Sequence, residues 1–199
     1  MSGEARPPRP LEAAYGGKTG FALLQISHMQ YRLGRLERWE KIDFSRVRRL
    51  VFVCKGNISR SPYAQAQSVK RGFPAVSFGI AATDGSPAET QALENARRRG
   101  VDLSQHRATN LGRYRPRQQD LVLCYETAQA EHLEAYVADG AAAGTAAQVS
   151  LMGLWSLPRR PLIFDPYGLH DRYYQTCYAT IDSALEHVLI SIAGGRTGV

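Results

Sequence analysis

The 199-residue chain has few cysteines. It has three, at positions 54, 124 and 177. So odd and widely spaced a set excludes a disulfide-built scaffold and points to a reducing, cytoplasmic compartment. There is no continuous apolar stretch of about 18 residues, so no membrane span is expected. The first twenty residues lack the apolar core of a secretory signal. No internal repeat or heptad array is visible. With 44% apolar and 22% charged residues, the composition excludes collagen and disorder throughout.

Acidic residues are in deficit, but unevenly. The net charge is +7, and residues 1–49 hold ten Lys or Arg against five Asp or Glu, while the remainder holds fifteen against thirteen. A basic arm of this kind can approach nucleic acid, acidic lipid or an acidic partner, or can simply be solvated. The run Arg97-Arg98-Arg99 falls in the last turn of an expected helix, where the dipole favours cations, so no nucleic-acid partner is expected.

Residues 1–19, rich in Pro, Gly and Ala, read as a flexible leader. Residues 20–48 read as a helical extension, with an amphipathic helix from Phe21 to about Trp39 that weakens at Gly34. Residues 49–193 form the main domain, and residues 194–199 a tail. Within that domain Leu50-Val51-Phe52-Val53 is a short apolar run suited to a strand buried on both faces. Further strands are expected at 76–81, 120–124 and 149–152. Helices are expected from Ser61-Pro62, from the capping box Ser86-Pro87-Ala88-Glu89, from Thr127 and from about Tyr174 to Ile192. Strands alternating with helices imply an open four-stranded parallel α/β sheet flanked by helices, whose ligands sit at the carboxyl ends of the strands.

The first strand runs straight into Cys54-Lys55-Gly56-Asn57-Ile58-Ser59-Arg60-Ser61. A strand-to-helix loop can turn several backbone N–H groups inward as an anion nest, and the following helix adds its positive end. Arg60 supplies a planar fork for two phosphate oxygens. Cys54 then faces the phosphorus, where positive charge and N–H donors favour the nucleophilic thiolate. Gly56 lets the backbone approach the ligand and is expected at positive φ, Asn57 tolerates the left-handed region, and Ser61 can donate a proton to the sulfur. A lone Cys-x5-Arg is weak evidence; the strand before it and Ser-Pro after it make the pattern specific. Asp165, between Phe164 and Pro166, reads equally as an ordinary Asp-Pro turn or as the candidate acid and base. If Asp165 takes that role, Tyr167 flanks the pocket and stacks on an aryl ring.

These residues resemble the low-molecular-weight protein tyrosine phosphatase family, whose signature is approximately V-F-V-C-x-G-N-x-C-R-S-P-x-A. The likeness extends over roughly residues 50–190, through Gly85-Ser86-Pro87, the stretch from Gly100 to His106, and Asp165-Pro166-Tyr167. It implies a flavodoxin-like phosphatase fold of strand order 2-1-3-4 and metal-free chemistry through a cysteinyl-phosphate, with no cofactor. It assigns Cys54, Arg60 and Asp165 as catalytic, Lys55, Gly56, Asn57, Ile58, Ser59 and Ser61 as the phosphate-binding loop, and His106 as the partner of Asn57. It implies a phosphotyrosine protein as partner, a tyrosine kinase of exopolysaccharide export being one candidate. Whether the N-terminal helix packs on the domain or forms a homodimer stays open.

Three features depart from the pattern. Ser59 replaces a second loop cysteine that can protect the nucleophile, Gly168 stands where many members carry a second Tyr, and residues 1–49 lie outside the usual domain. Alternatives on the same fold are thiol-coupled arsenate reduction, for which residues 79–110 offer no cysteine, and protein arginine phosphatase activity, for which Ile58 is larger and more apolar than the expected Thr. A non-catalytic phosphate-binding module is a further alternative.

Overall fold

In the computed structural model, residues 9–139 and 146–197 are described. Four strands, β1 (Arg49–Cys54), β2 (Ala75–Gly79), β3 (Asp120–Cys124) and β4 (Gln148–Leu151), form one sheet in the order β2-β1-β3-β4. Every pairing is parallel. The expected open parallel sheet and its strand order are both present.

Alternation along β1 decides which helices cover which face. Leu50, Phe52 and Cys54 point into a core shared with α3 (Arg60–Lys70), α4 (Thr90–Arg97) and α6 (Asp171–Thr197). Tyr63 of α3 and Tyr178 of α6 stack there with ring centroids 3.7 Å apart. Val51 and Val53 point to the other face, against α5 (Thr127–Asp139). Leu36 and Trp39, from the extension, are buried in that second core. Burying side chains of this size contributes roughly 1.5–3 kcal/mol each, which fastens the extension to the domain.

The N-terminal region departs from expectation. Residues 10–19, read as part of a leader, form α1 (Pro10–Tyr15) and the start of α2 (Lys18–Arg32). Pro10 occupies the first helical turn, where its missing N–H costs nothing, and Gly16 closes the helix at φ 74°. The rest of the leader, residues 1–8, lies outside the described residues. The amphipathic helix ends at Arg32, before Gly34 at φ 73°, and a separate 3-10 turn carries Trp39. Leu24 is buried, while Ile26, Met29 and Leu33 remain exposed. At the other end α6 continues to Thr197, so the stretch expected as a tail from residue 194 is helical to that point.

Two helix starts also differ. α3 begins at Arg60 with Ser59 as N-cap, two residues before the expected Ser61. Proline is tolerated throughout the first turn, so Pro62 does not fix the boundary. α4 begins at Thr90, capped by the Glu89 side chain, which accepts from Ala92 N at 3.0 Å. Residues 86–89 are extended instead, because Ser86 O accepts from Ala108 N and Glu89 N donates to Ile58 O. Long-range backbone bonds override the local capping box there. Arg98 and Arg99 of the arginine run are engaged by Asp171 and Asp182 at 3.0 and 2.7 Å, in keeping with their structural reading. Among the described residues no helix is long and apolar enough to cross a membrane.

Candidate active site

The carboxyl end of β1 delivers Cys54 into the loop that precedes α3. Its side chain is buried, and Sγ accepts from Asn57 N at 3.3 Å. Ser61 Oγ is 3.1 Å from the sulfur. That hydroxyl accepts from Asn57 Nδ2 at 2.8 Å, which leaves its own proton for Sγ or for Phe78 O at 3.3 Å.

Asn57 organises the loop. It is the one non-glycine residue with positive φ among the described residues, at 54°. Its side chain compensates for that backbone geometry: Nδ2 also donates to Ser77 Oγ, and Oδ1 accepts from Thr109 N, both at 2.8 Å. The expected positive φ at Gly56 is absent; the left-handed residue is its neighbour, and a Cβ on Gly56 would meet only Ile58 at 3.4 Å. The glycine that close approach requires is Gly79, at the end of β2. A Cβ there would stand 2.7 Å from Asn57 N and 2.8 Å from Gly56 C.

His106 meets Asn57 as expected, but through the backbone: Nε2 lies 2.7 Å from Asn57 O. A carbonyl only accepts, so Nε2 carries the proton. Burial lowers the His106 pKa below its ordinary 6.5, the Asn57 contact opposes that, and nearby Arg107 lowers it further.

Arg60 is completely buried. Nη1 donates to Glu126 Oε1 at 2.7 Å and to Ile163 O at 2.8 Å. Nη2 is 2.8 Å from Asp165 Oδ2, an ion pair outside hydrogen-bonding geometry, and Nε has no partner. Tyr125 lies under the guanidinium, its ring centroid 5.2 Å from Cζ. Burial opposes the Arg60 charge, but Asp165, Cys54 and Glu126 outweigh it and hold the guanidinium ionised. One edge of the fork is thus anchored to protein, and the Nε/Nη2 edge makes no hydrogen bond.

A cavity of about 240 Å³ opens over this loop. Cys54, Lys55, Gly56, Ile58, Ser59, Ala81, Asp165 and Tyr167 line it. Cys54, Asp165, Tyr167 and four loop residues therefore converge on it, while Arg60, Asn57, Ser61 and His106 are not in its lining. Among the described residues no three His, Cys, Asp or Glu side chains gather as a metal site requires. Cys124 and Cys177 are buried core thiols, each pushed upward by burial, Cys177 to about 12.

Residues 49–196 match the low molecular weight phosphotyrosine protein phosphatase family. The chain belongs to this family. The probable low molecular weight protein-tyrosine-phosphatase EpsP of Ralstonia nicotianae is 38% identical over 91 residues, which cover 44% of this chain and 62% of EpsP. The chain thus spans less than two thirds of that relative. Among solved structures, Vibrio vulnificus Wzb in complex with benzylphosphonate has a TM-score of 0.57 at 26% identity, over 75% of this chain and 97% of that one. The YwlE arginine phosphatase of Geobacillus stearothermophilus has a TM-score of 0.62 at 18% identity, over 75% and 95%, a likeness of fold alone.

Sequence reasoning missed the partners of Arg60. Tyr125 and Glu126 directly follow β3, the strand beside β1, and the rule that ligands sit at strand carboxyl ends pointed to that position. Ala81 and Gly79 follow the same rule at the end of β2.

Proposed function

We propose that the chain is a protein-tyrosine phosphatase acting through a cysteinyl-phosphate. The observation that carries this reading is the arrangement at the end of β1: Cys54 and Asp165 line one small cavity, and the buried Arg60 guanidinium, ion-paired to Asp165 through Nη2, has no hydrogen bond on its Nε/Nη2 edge. The loop N–H groups and this guanidinium edge hold the three non-bridging phosphate oxygens. Cys54 Sγ attacks phosphorus, forming the S–P bond as the bond to the phenolic oxygen breaks. Asp165 gives its proton to that oxygen, so the product leaves as a phenol. The resulting carboxylate then takes a proton from water, whose oxygen attacks phosphorus, and the S–P bond breaks to return the thiolate. Ser61 and the Asn57 N–H stabilise the sulfur anion that leaves in this second step.

Ile58 and Tyr167 give the cavity apolar walls, which suit an aryl ring better than a guanidinium and favour phosphotyrosine over phosphoarginine. Lys55 at the mouth favours acidic residues flanking the phosphotyrosine. The same reading makes a tyrosine-phosphorylated protein the partner, with a tyrosine kinase of exopolysaccharide export as a candidate, and a reducing cytoplasm the compartment in which Cys54 stays reduced. Matched phosphotyrosine and phosphoarginine peptides test it. Phosphotyrosine should be hydrolysed at least about tenfold faster in kcat/KM, roughly 1.4 kcal/mol of preference. The opposite preference would replace this reading with arginine phosphatase.

A further inference from the structure

Residues 13–20 of the extension lie against the segment that carries Asp165. Arg160 Nη1 donates to Ala14 O at 2.9 Å, and its guanidinium lies 5.2 Å from the Tyr15 ring centroid. Thr176 Oγ1 donates to Ala13 O at 2.7 Å. Between these two ties the contact is made through glycine. A Cβ on Gly16 would stand 2.8 Å from Leu169 Cδ1, 3.0 Å from Phe164 Cδ1 and 3.1 Å from Tyr173 Cε1. A Cβ on Gly20 would stand 3.0 Å from the same Phe164 atom and 1.8 Å from Tyr15 O. Phe164 immediately precedes Asp165. Its carbonyl accepts from Tyr173 Oη at 3.1 Å, and Leu169 N donates to Pro166 O at 2.9 Å.

Residues 164–169 have no regular secondary structure to hold them. Their position depends on what packs against them, and the elbow between α1 and α2 packs on Phe164 and Leu169. We propose that this elbow is a positioning element for Asp165: by closing on Phe164 and Leu169 it keeps the carboxyl over the pocket and so sets the rate of proton delivery to the leaving oxygen. The elbow lies outside the residues that match the family, and the inference rests on Asp165 being the acid. Its contacts are with Phe164 and Leu169, on either side of Asp165; because Asp165 also pairs with Arg60, the effect on protonation is read from the difference between a poor and a good leaving group. Displacing a catalytic group by about 1 Å can cost on the order of 100-fold.

Gly20→Ala in the full chain is the direct test. Gly20 lies within α2 and has no positive φ, so alanine is not strained locally, but its methyl cannot coexist with Tyr15 O and must open the elbow. Single-turnover release of tyrosine from a phosphopeptide should slow at least about tenfold, and release of the acidic phenol of para-nitrophenyl phosphate less than about threefold. In a double variant with Asp165→Asn the two losses should not add, because both act through one proton. Thr176→Val, which removes the tie to Ala13 together with the contact to Arg172 O within α6, should shift the two substrates in the same unequal sense and serves if Gly20→Ala folds poorly. Gly72→Ala, at φ 79° with nothing within 4 Å of its Cβ, should change neither rate. Hydrogen exchange reads the contact without turnover: Gly20→Ala should speed exchange at the Leu169 amide about tenfold. Equal slowing of both substrates, or unchanged exchange, would overturn the proposal. A wild-type chain that turns over neither substrate, with faster exchange in Gly20→Ala, would instead refute the phosphatase reading while leaving the elbow contact established.

Discussion

Arg60→Lys keeps the charge and removes the fork, and the structure says what that must cost. The native guanidinium spends Nη1 on Glu126 and Ile163 O; Nε and Nη2 make no hydrogen bond, and Nη2, ion-paired with Asp165, exchanges that partner for phosphate in the proposed mechanism. A lysine ammonium cannot do both. If it stays with Glu126, two charge-assisted hydrogen bonds to phosphate are lost; if it turns to phosphate, Glu126 loses its buried partner and the ammonium still presents a single point charge. Two such bonds at the low end of about 1.5 kcal/mol each come to roughly 3 kcal/mol, which is somewhat more than 100-fold in kcat/KM. Initial rates on para-nitrophenyl phosphate well below KM give this ratio directly, and thermal melting of both proteins shows whether the fold is retained. A loss under about fivefold in a folded variant would refute the reasoning, because it would mean that the buried edge of Arg60 never meets the phosphate.

Other outcomes follow from neighbouring groups. Cys54→Ser should abolish turnover and still bind inorganic phosphate, measured by calorimetry, since the nest and Arg60 remain; activity within about tenfold of wild type would reassign the nucleophile. Asp165→Asn should slow phosphotyrosine more than para-nitrophenyl phosphate in single turnover, because the poorer leaving group needs the proton more, and equal slowing would exclude Asp165 as the acid. Two other carboxyls, Asp84, held by Arg113 and Asn110 N, and Asp171, held by Arg98 and Asn95, do not line the cavity. His106, with its pKa lowered in the fold, makes the unfolded chain the better proton acceptor, so its contribution to stability is full above the ordinary 6.5 and fades as pH falls from there toward the folded value. His106→Gln should flatten the loss of stability between pH 6.5 and 5 in urea titrations; an unchanged slope would show that folding does not shift the His106 pKa.

What the sequence reveals depends on how locally each feature is determined. β1, the loop and Arg60 are legible because a buried strand, an anion nest and a helix start are contiguous, so eight residues carry both geometry and chemistry. The parallel order follows from strands alternating with helices. The start of α4 was not legible: Ser86 to Glu89 satisfies every local rule for a cap, yet the backbone of Ile58 and Ala108 takes those groups for extended pairing. Glu126 is 66 residues from Arg60, and its place after β3 marks it as near the site without marking it as the ion-pair partner of Arg60. The leader misled for a related reason. Pro10 and Gly16 suggest loose chain, but one opens a helix and the other closes it, and only the surface formed by Phe164, Leu169 and Tyr173 makes that short helix worth forming.

The left-handed Asn57 has a consequence for affinity. Its amide, carbonyl and side chain are all engaged, so the loop loses its freedom when the protein folds, not when phosphate arrives. Ordering a backbone costs roughly 1–2 kcal/mol per residue, so over residues 55–59 several kcal/mol of entropy are kept out of the binding equilibrium. A rigid cradle of this kind grips whatever carries a phosphoryl group. It holds the ester and the free anion alike, and selectivity between protein substrates must come from the walls and mouth of the pocket. On the proposed phosphatase reading, inorganic phosphate would compete for the same seat, and the speed with which it leaves would set a ceiling on turnover.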